Sequence, residues 1–235
     1  MDGLRSVSNF AKISVVLEDY LDLSGSPVAV KIATSPDQIP TGIPEIGETV
    51  RHCKMISLAR EGRVFYATDA KHQCSGGAWA LGLRVKGATL ASGEHYYRLG
   101  KYESVASSRR TMENVPNLPQ ETYATVYAPL GKAEFSPSAV LLFAKPKAML
   151  KLAQTTLYRL GGSIYPRFSG VQSMCSDATA YVVLSGKPNF SLGCDGSRKF
   201  SGIADEEMVA GFPAEMIGEI AAHLPTVANA AGSKK

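Results

Sequence analysis

The chain carries the stretch Ser26-Pro27-Val28-Ala29-Val30, and a related stretch occurs further on as Ser136-Pro137-Ser138-Ala139-Val140. In both, a Ser-Pro break precedes small and apolar residues, a pattern typical of a short buried strand after a turn. Other similar segments follow in the same order in both parts of the chain. We therefore predict one compact domain made of two pseudo-equivalent halves, approximately residues 24–120 and 121–224.

The four cysteines repeat with these halves. Cys53 and Cys74 fall in the first half, and Cys175 and Cys194 fall at similar spacing in the second. Between the members of each pair, apolar runs separated by turn residues predict a β-hairpin. The predicted hairpin strands are residues 55–60 with 63–68 and residues 180–184 with 189–192. The predicted fold class is α+β (mixed α/β), with a strand, a cysteine-flanked hairpin and helices in each half, around mixed sheets.

The remaining elements follow from hydrophobic periodicity. The N-terminal stretch, residues 1–23, has the spacing of an amphipathic helix, which argues against a signal peptide. Buried strands are predicted over residues 28–33, 123–128 and 139–143. Further helices are predicted over residues 78–83, 104–114, 146–158, 205–211 and 213–224.

Composition indicates an ordinary globular protein and excludes several functions. A chain of 235 residues, 45% hydrophobic and 20% charged, is long enough to bury a sizeable core. No window approaches the ~20 apolar residues of a membrane span, so we expect no membrane insertion and a cytoplasmic location. The net charge of +4 comes without a long basic stripe, which argues against nucleic-acid binding. The motifs of serine hydrolases, P-loop proteins and dinucleotide-binding proteins are absent.

Three segments resemble a known family. They are Gln73-Cys74-Ser75-Gly76-Gly77, the stretch from Ser191 to Phe200 around Cys194, and the acidic residues before Phe212-Pro213. Together they resemble the archaeal and bacterial family called domain of unknown function one hundred and sixty-nine, over about residues 28–224. The resemblance implies a compact α/β protein, common in anaerobes, in which the cysteine-bearing segments recur. It implies no established activity.

The cysteines suggest metal chemistry, although other roles stay open. A disulfide scaffold is disfavoured, because the cytosol keeps thiols reduced. Four thiolates from two equivalent halves suit a tetrahedral zinc ion or a cubane iron-sulfur cluster, but no compact Cys-x-x-Cys motif is present. If the halves pack about a pseudo-two-fold axis, Cys74 and Cys194 would lie near it and could share one centre. The alternative is that the cysteines are small buried hydrophobes.

Our leading hypothesis is an iron-sulfur protein in electron transfer or cluster-based redox chemistry, which would need a redox partner protein. The predicted ligands are Cys53, Cys74, Cys175 and Cys194. One alternative is a structural zinc protein with the same ligands. The sequence leaves open whether the protein is an enzyme and whether it assembles with itself.

A second alternative is a module that binds a small anionic ligand or a partner, with structural cysteines. The basic residues predicted around the cysteines, as an anion site or as neighbours of the ligands, are Lys71, His72, Arg98 and Arg198. A lone reactive thiol is also conceivable at Cys74, because a predicted helix N-terminus and nearby basic residues would lower its pKa.

Overall fold

The computed structural model describes residues 3–230, and it describes side chains from residue 9 onward. In this part of the chain six strands form one sheet, and each strand runs antiparallel to its neighbours. The strands are β1 (Val28–Ala33), β2 (Phe65–Thr68), β3 (Ala124–Pro129), β4 (Ala139–Ala144), β5 (Asn189–Ser191) and β6 (Met208–Pro213). The mixed α/β class is confirmed, with a single antiparallel sheet in place of mixed sheets.

The strand order is β2-β3-β1-β4-β6-β5, with β1 and β4 paired at the centre. From the centre outward, one side consists of β1, β3 and β2, and the other consists of β4, β6 and β5. Each side therefore has its first strand at the centre, its third strand next and its second strand at the edge. The two sides are therefore topologically equivalent. Because β3 pairs with β1 and β2, it lies on the first side, although a boundary near residue 121 assigns it to the second half. A common origin of the halves stays a prediction.

Helices cover both faces of the sheet. The α-helices are α1 (Gly3–Leu21), α2 (His52–Arg60), α3 (Ser75–Ala80), α4 (Ala88–Ser92), α5 (Glu94–Arg98), α6 (Val105–Asn114), α7 (Pro146–Leu157), α8 (Tyr181–Ser185), α9 (Asp195–Ser201) and α10 (Ala214–Ala228). A π-helix, Ser173–Ala180, leads directly into α8. None of the helices within residues 3–230 is long and apolar enough to cross a lipid bilayer.

Alternating residues of the central strands divide the core into two layers. Val140 and Leu142 of β4 pack on the face covered by α1, α7 and α10. Leu141 and Phe143 pack on the opposite face, against α2, the π-helix and α8. All six residues of β4 are buried, and each large aliphatic side chain among them contributes about 1.5–3 kcal/mol through burial. The core therefore has one layer on each face of the sheet. The cysteines lie on the face that packs against α2, the π-helix and α8.

Both predicted hairpins are wrong. Residues 55–60 lie in α2, and residues 180–184 lie at the end of the π-helix and in α8, so only the second arms correspond to strands, β2 and β5. A short apolar run does not distinguish a buried helix from a strand. The helix predicted over residues 205–211 is also wrong, because residues 208–213 form β6.

The π-helix lies unusually close to the sheet. A Cβ atom at Gly211 of β6 would lie 2.1 Å from the carbonyl oxygen of Ala178, so any side chain there would push the π-helix off the sheet. The amide of Asp177 donates to the carbonyl of Gln172, five residues back, at 3.1 Å. π-helices of this kind are frequently found at functional sites, and this one carries Cys175.

Candidate four-cysteine site

All four cysteines of the chain line one cavity of about 490 Å³. We call it the cysteine cavity. It lies on the second face of the sheet, between α2, α3, the π-helix and α9. In the structure all four are free thiols. Two come from each topological side of the sheet.

The cysteines occupy equivalent places in the two sides. Cys53 is the second residue of α2, and Cys175 is the third residue of the π-helix. Cys74 and Cys194 are the N-cap residues of α3 and α9. Each side therefore supplies one cysteine within a helix and one at a helix start, and the expectation that Cys74 lies near a helix N-terminus is confirmed.

The helices that carry these cysteines pack crosswise between the two sides. Helix α2 packs against α9, and the π-helix packs against α3. The sulfur of Cys53 accordingly lies 4.0 Å from the carbonyl oxygen of Gly196 in α9. A Cβ atom at Gly77 in α3 would lie 3.8 Å from Cβ of Cys175. Each helical cysteine thus faces the capping cysteine of the other side.

The two capping cysteines accept hydrogen bonds from the backbone. The amide of Gly77 donates to Sγ of Cys74, and the amide of Ser197 donates to Sγ of Cys194, both at 3.4 Å. Ser197 completes a capping box, since its hydroxyl accepts from the Cys194 amide at 2.8 Å. These bonds fix the orientation of both sulfurs, as the capping oxygen of Ser or Thr does elsewhere.

The two helical cysteines are held as neutral thiols in the metal-free protein. Burial is the main cause that raises the pKa of Cys53 to about 12, and the nearby sulfurs of Cys194 and Cys74 contribute to the same increase. Burial likewise raises the pKa of Cys175 well above its usual value, and the other three cysteines add to the increase. Removing a proton here therefore needs a compensating positive charge, which a bound metal centre supplies.

His52 joins the two sides next to the cysteine cavity. Its Nδ1 lies 2.7 Å from the Tyr127 hydroxyl on β3, and its Nε2 lies 3.3 Å from the Thr179 hydroxyl on the π-helix. Because Thr179 donates to the carbonyl of Met174 at 2.7 Å, its oxygen accepts from Nε2, and Tyr127 donates to Nδ1. Burial lowers the pKa of His52 to about 3, so the ring is neutral.

The basic residues predicted around the cysteines do not line the cysteine cavity. Lys71 donates to the carbonyl of Gly47, and Arg98 pairs with Glu94 on the surface. His72 is buried against β3, where its Nε2 lies 3.0 Å from the Thr125 hydroxyl. Arg198 donates to three backbone carbonyls of the adjoining loops, those of Leu192, Ala204 and Glu207. The structure does not bring these four side chains together as an anion site.

Other residues take their place around the cavity. Arg51 stacks on the Phe200 ring, with its guanidinium carbon 3.8 Å from the ring centroid. Lys101 forms an ion pair with Asp195 at the start of α9. Gln172, 3% exposed, donates to the Tyr96 hydroxyl at 3.3 Å. The sequence could have indicated that Arg51 lies near the cavity, because it stands two residues before Cys53. The other residues are brought to the cavity only by the fold.

The described side chains do not form a site for a single metal ion. Four sulfurs around one zinc ion at about 2.3 Å stand roughly 3.8 Å apart. Among the described side chains, no three His, Cys, Asp or Glu residues stand together closely enough to hold an ion. A cubane iron-sulfur cluster binds each of its four cysteines to a different iron, so its ligand sulfurs stand further apart than those around a single ion.

The fold and the cavity define an antiparallel α/β protein that gathers four cysteines from both sides of its sheet. The chain belongs to the DUF169 family, whose model, described as "Uncharacterised ArCR", matches residues 16–223. It is similar to the "Uncharacterized protein MJ0308" of Methanocaldococcus jannaschii, with 44% identity over 195 residues, 82% of this chain and 84% of that protein. No solved structure matches the chain. The resemblance noted in the sequence is confirmed.

Proposed function

We propose that the protein binds an iron-sulfur cluster through Cys53, Cys74, Cys175 and Cys194 and serves electron transfer or cluster-based redox chemistry. The observation that supports this most directly is that all four cysteines of the chain line the same cavity. Cysteines that served only as buried hydrophobes would have no reason to converge from four separate elements. Their convergence is the arrangement that a four-thiolate centre needs.

The size of the cysteine cavity is compatible with a cluster. Eight cluster atoms, each given the ~30 Å³ share of a water molecule, take about 240 Å³. This is about half of the 490 Å³ present. A cubane cluster therefore has room without displacement of the sheet or the helices.

The surroundings of the cysteines suit a redox centre. The amides of Gly77 and Ser197 donate to the capping sulfurs, and hydrogen bonds to ligand sulfurs are one of the means by which a protein sets a cluster's potential. When bound, the cluster would supply one-electron transfer, while the protein holds, orients and desolvates it.

The test is an anaerobic purification of the full chain, followed by iron, zinc and acid-labile sulfide analysis and a visible absorption spectrum. We expect iron and sulfide in equal amounts and a broad absorption band at the blue end of the visible spectrum. Protein that stays colourless after anaerobic reconstitution with iron and sulfide would refute the proposal. Stoichiometric zinc with no bound iron would replace it with the structural-zinc alternative.

Single Cys→Ser variants assign the ligands. Each should lower the iron content or shift the spectrum, because serine keeps the size of the side chain but not its thiolate. The matched control is Ala59→Ser, which introduces a hydroxyl at a buried position of α2 that does not line the cysteine cavity. If Ala59→Ser loses as much iron as Cys53→Ser, the loss reflects damage to the fold.

A further inference from the structure

The cysteine cavity is larger than a cluster needs. By the same ~30 Å³ share per atom, the remaining half has room for about eight non-hydrogen atoms. Its total volume lies within the range of about 300–1,000 Å³ typical of small-molecule sites. The lining includes the apolar and aromatic side chains of Leu90, Tyr96, Leu99, Val171 and Phe200, of which Tyr96 and Val171 pack with Cys175. We call the space that a cluster would leave free the outer part of the cavity, and this lining suits a small molecule with an apolar body.

One cation in this outer part has no acidic partner. Arg51 donates from Nη1 to the side-chain oxygen of Gln73 at 2.8 Å and stacks on Phe200. Within the described part of the chain, no carboxylate lies at ion-pair distance from it. A guanidinium has five N–H groups in a planar fork that matches a carboxylate. Arg51 thus offers a fixed, uncompensated anchor for an anion.

The other charged groups of the cavity leave this anchor unopposed. Asp195 is the acidic residue among its lining side chains, and it pairs with Lys101. The charges of the lining residues therefore leave an excess of positive charge at Arg51.

We infer that the outer part of the cysteine cavity binds a small organic carboxylate, with the carboxylate on Arg51 and the apolar body against Leu90, Leu99 and Val171. The inference deepens the proposed function and rests on it in one respect, since the ligand becomes a substrate only if the cysteines hold a redox centre. Binding itself needs only the cavity and the guanidinium.

Benzoate and its neutral counterpart benzamide are the probes, because they share shape and differ in charge. Their affinities are measured by titration calorimetry on the full chain, both after cluster reconstitution and without metal. We expect benzoate to bind at least tenfold more tightly than benzamide, since hydrogen bonds to charged groups are among the strongest in proteins. Arg51→Met should abolish this preference, and Arg51→Lys should retain part of it.

Arg63→Met is the matched control. Arg63 also lies over an aromatic ring, that of Phe65, but pairs with Glu48 outside the cavity, so its loss should leave both affinities unchanged. Equal affinity for the two probes, no binding of benzoate, or an equal loss in Arg63→Met would overturn the inference. A protein that holds no cluster but prefers benzoate refutes the proposed function alone. A loaded protein without the preference refutes this inference alone.

Discussion

Replacement of Gly77 by alanine should raise the stability of the protein and lower its capacity for a cluster. Gly77 lies in α3, and a Cβ atom there would lie 3.7 Å from both Cβ and Sγ of Cys74 and 3.8 Å from Cβ of Cys175. These are ordinary van der Waals contacts, so the metal-free fold accommodates the methyl group. That group, however, would stand between two predicted ligands, in the space that a cluster must occupy.

The size of the stability gain follows from the backbone. A helical Gly→Ala change gains about 0.4–1 kcal/mol, chiefly by reducing the conformational freedom of the unfolded chain. For a protein of this length, this corresponds to a rise of about 1–4 °C in Tm. Gly218→Ala is the matched control, because Gly218 lies in α10 and a Cβ atom there would lie 3.9 Å from a methyl carbon of Ile13, on the opposite face of the sheet.

The assay combines thermal unfolding of the metal-free proteins with iron and sulfide analysis after anaerobic reconstitution. Both variants should be stabilised by a similar amount, and only Gly77→Ala should lose iron. Full cluster loading of Gly77→Ala would refute the placement of the cluster between Cys74 and Cys175. A destabilised metal-free Gly77→Ala would refute the packing argument.

Three further predictions concern buried groups. Burial lowers the pKa of His52 and of His72 to about 3, below the unfolded value of ~6.5, so the stability that each neutral ring contributes is lost as the pH falls. Between pH 6.5 and pH 5 the free energy of unfolding should fall by about 1.6 kcal/mol per histidine; urea unfolding measures this, and an unchanged slope in the double His→Gln variant would contradict it. Kept as the sole cysteine of the metal-free protein, Cys53 should react with Ellman's reagent at least about tenfold more slowly than when unfolded, because burial, the largest cause of its raised pKa, remains and each pKa unit lowers the thiolate fraction about tenfold. Equal rates would show an open site. Arg60→Met should lower the free energy of unfolding, measured in urea, by about 3–5 kcal/mol, because it removes the cationic partner of the Glu207 carboxylate, which is 6% exposed. A loss below about 1 kcal/mol would mean that water reaches this carboxylate.

The strands that could be predicted from the sequence are those whose apolar residues are bounded by clear breaks. β1 follows Ser26-Pro27, and β4 follows Ser136-Pro137. The hairpin predictions were wrong because residues 55–60 and 180–184 are short apolar runs in which the helical period is not visible. β6 was predicted as part of a helix because the acidic residues before it resemble the first turn of a helix.

Some residues of the candidate site could likewise be predicted from the sequence, and others could not. The four cysteines were identifiable because they are few and repeat with the halves. The surrounding cations were chosen by closeness in sequence, and Lys71 and Arg198 proved to bind backbone carbonyls. Lys101 and Gln172 reach the cavity from a connecting segment and from the residue before the π-helix, and no local pattern predicts such contacts.

The crosswise packing of the helices has a consequence for the history of this fold. Because α2 packs on α9 and the π-helix on α3, neither side of the sheet could assemble the site alone. If the two sides share an origin, as the sequence predicts, a polypeptide of half the length would have needed an isologous homodimer to bring four thiols together. Fusion of two such copies would make a concentration-dependent assembly intramolecular.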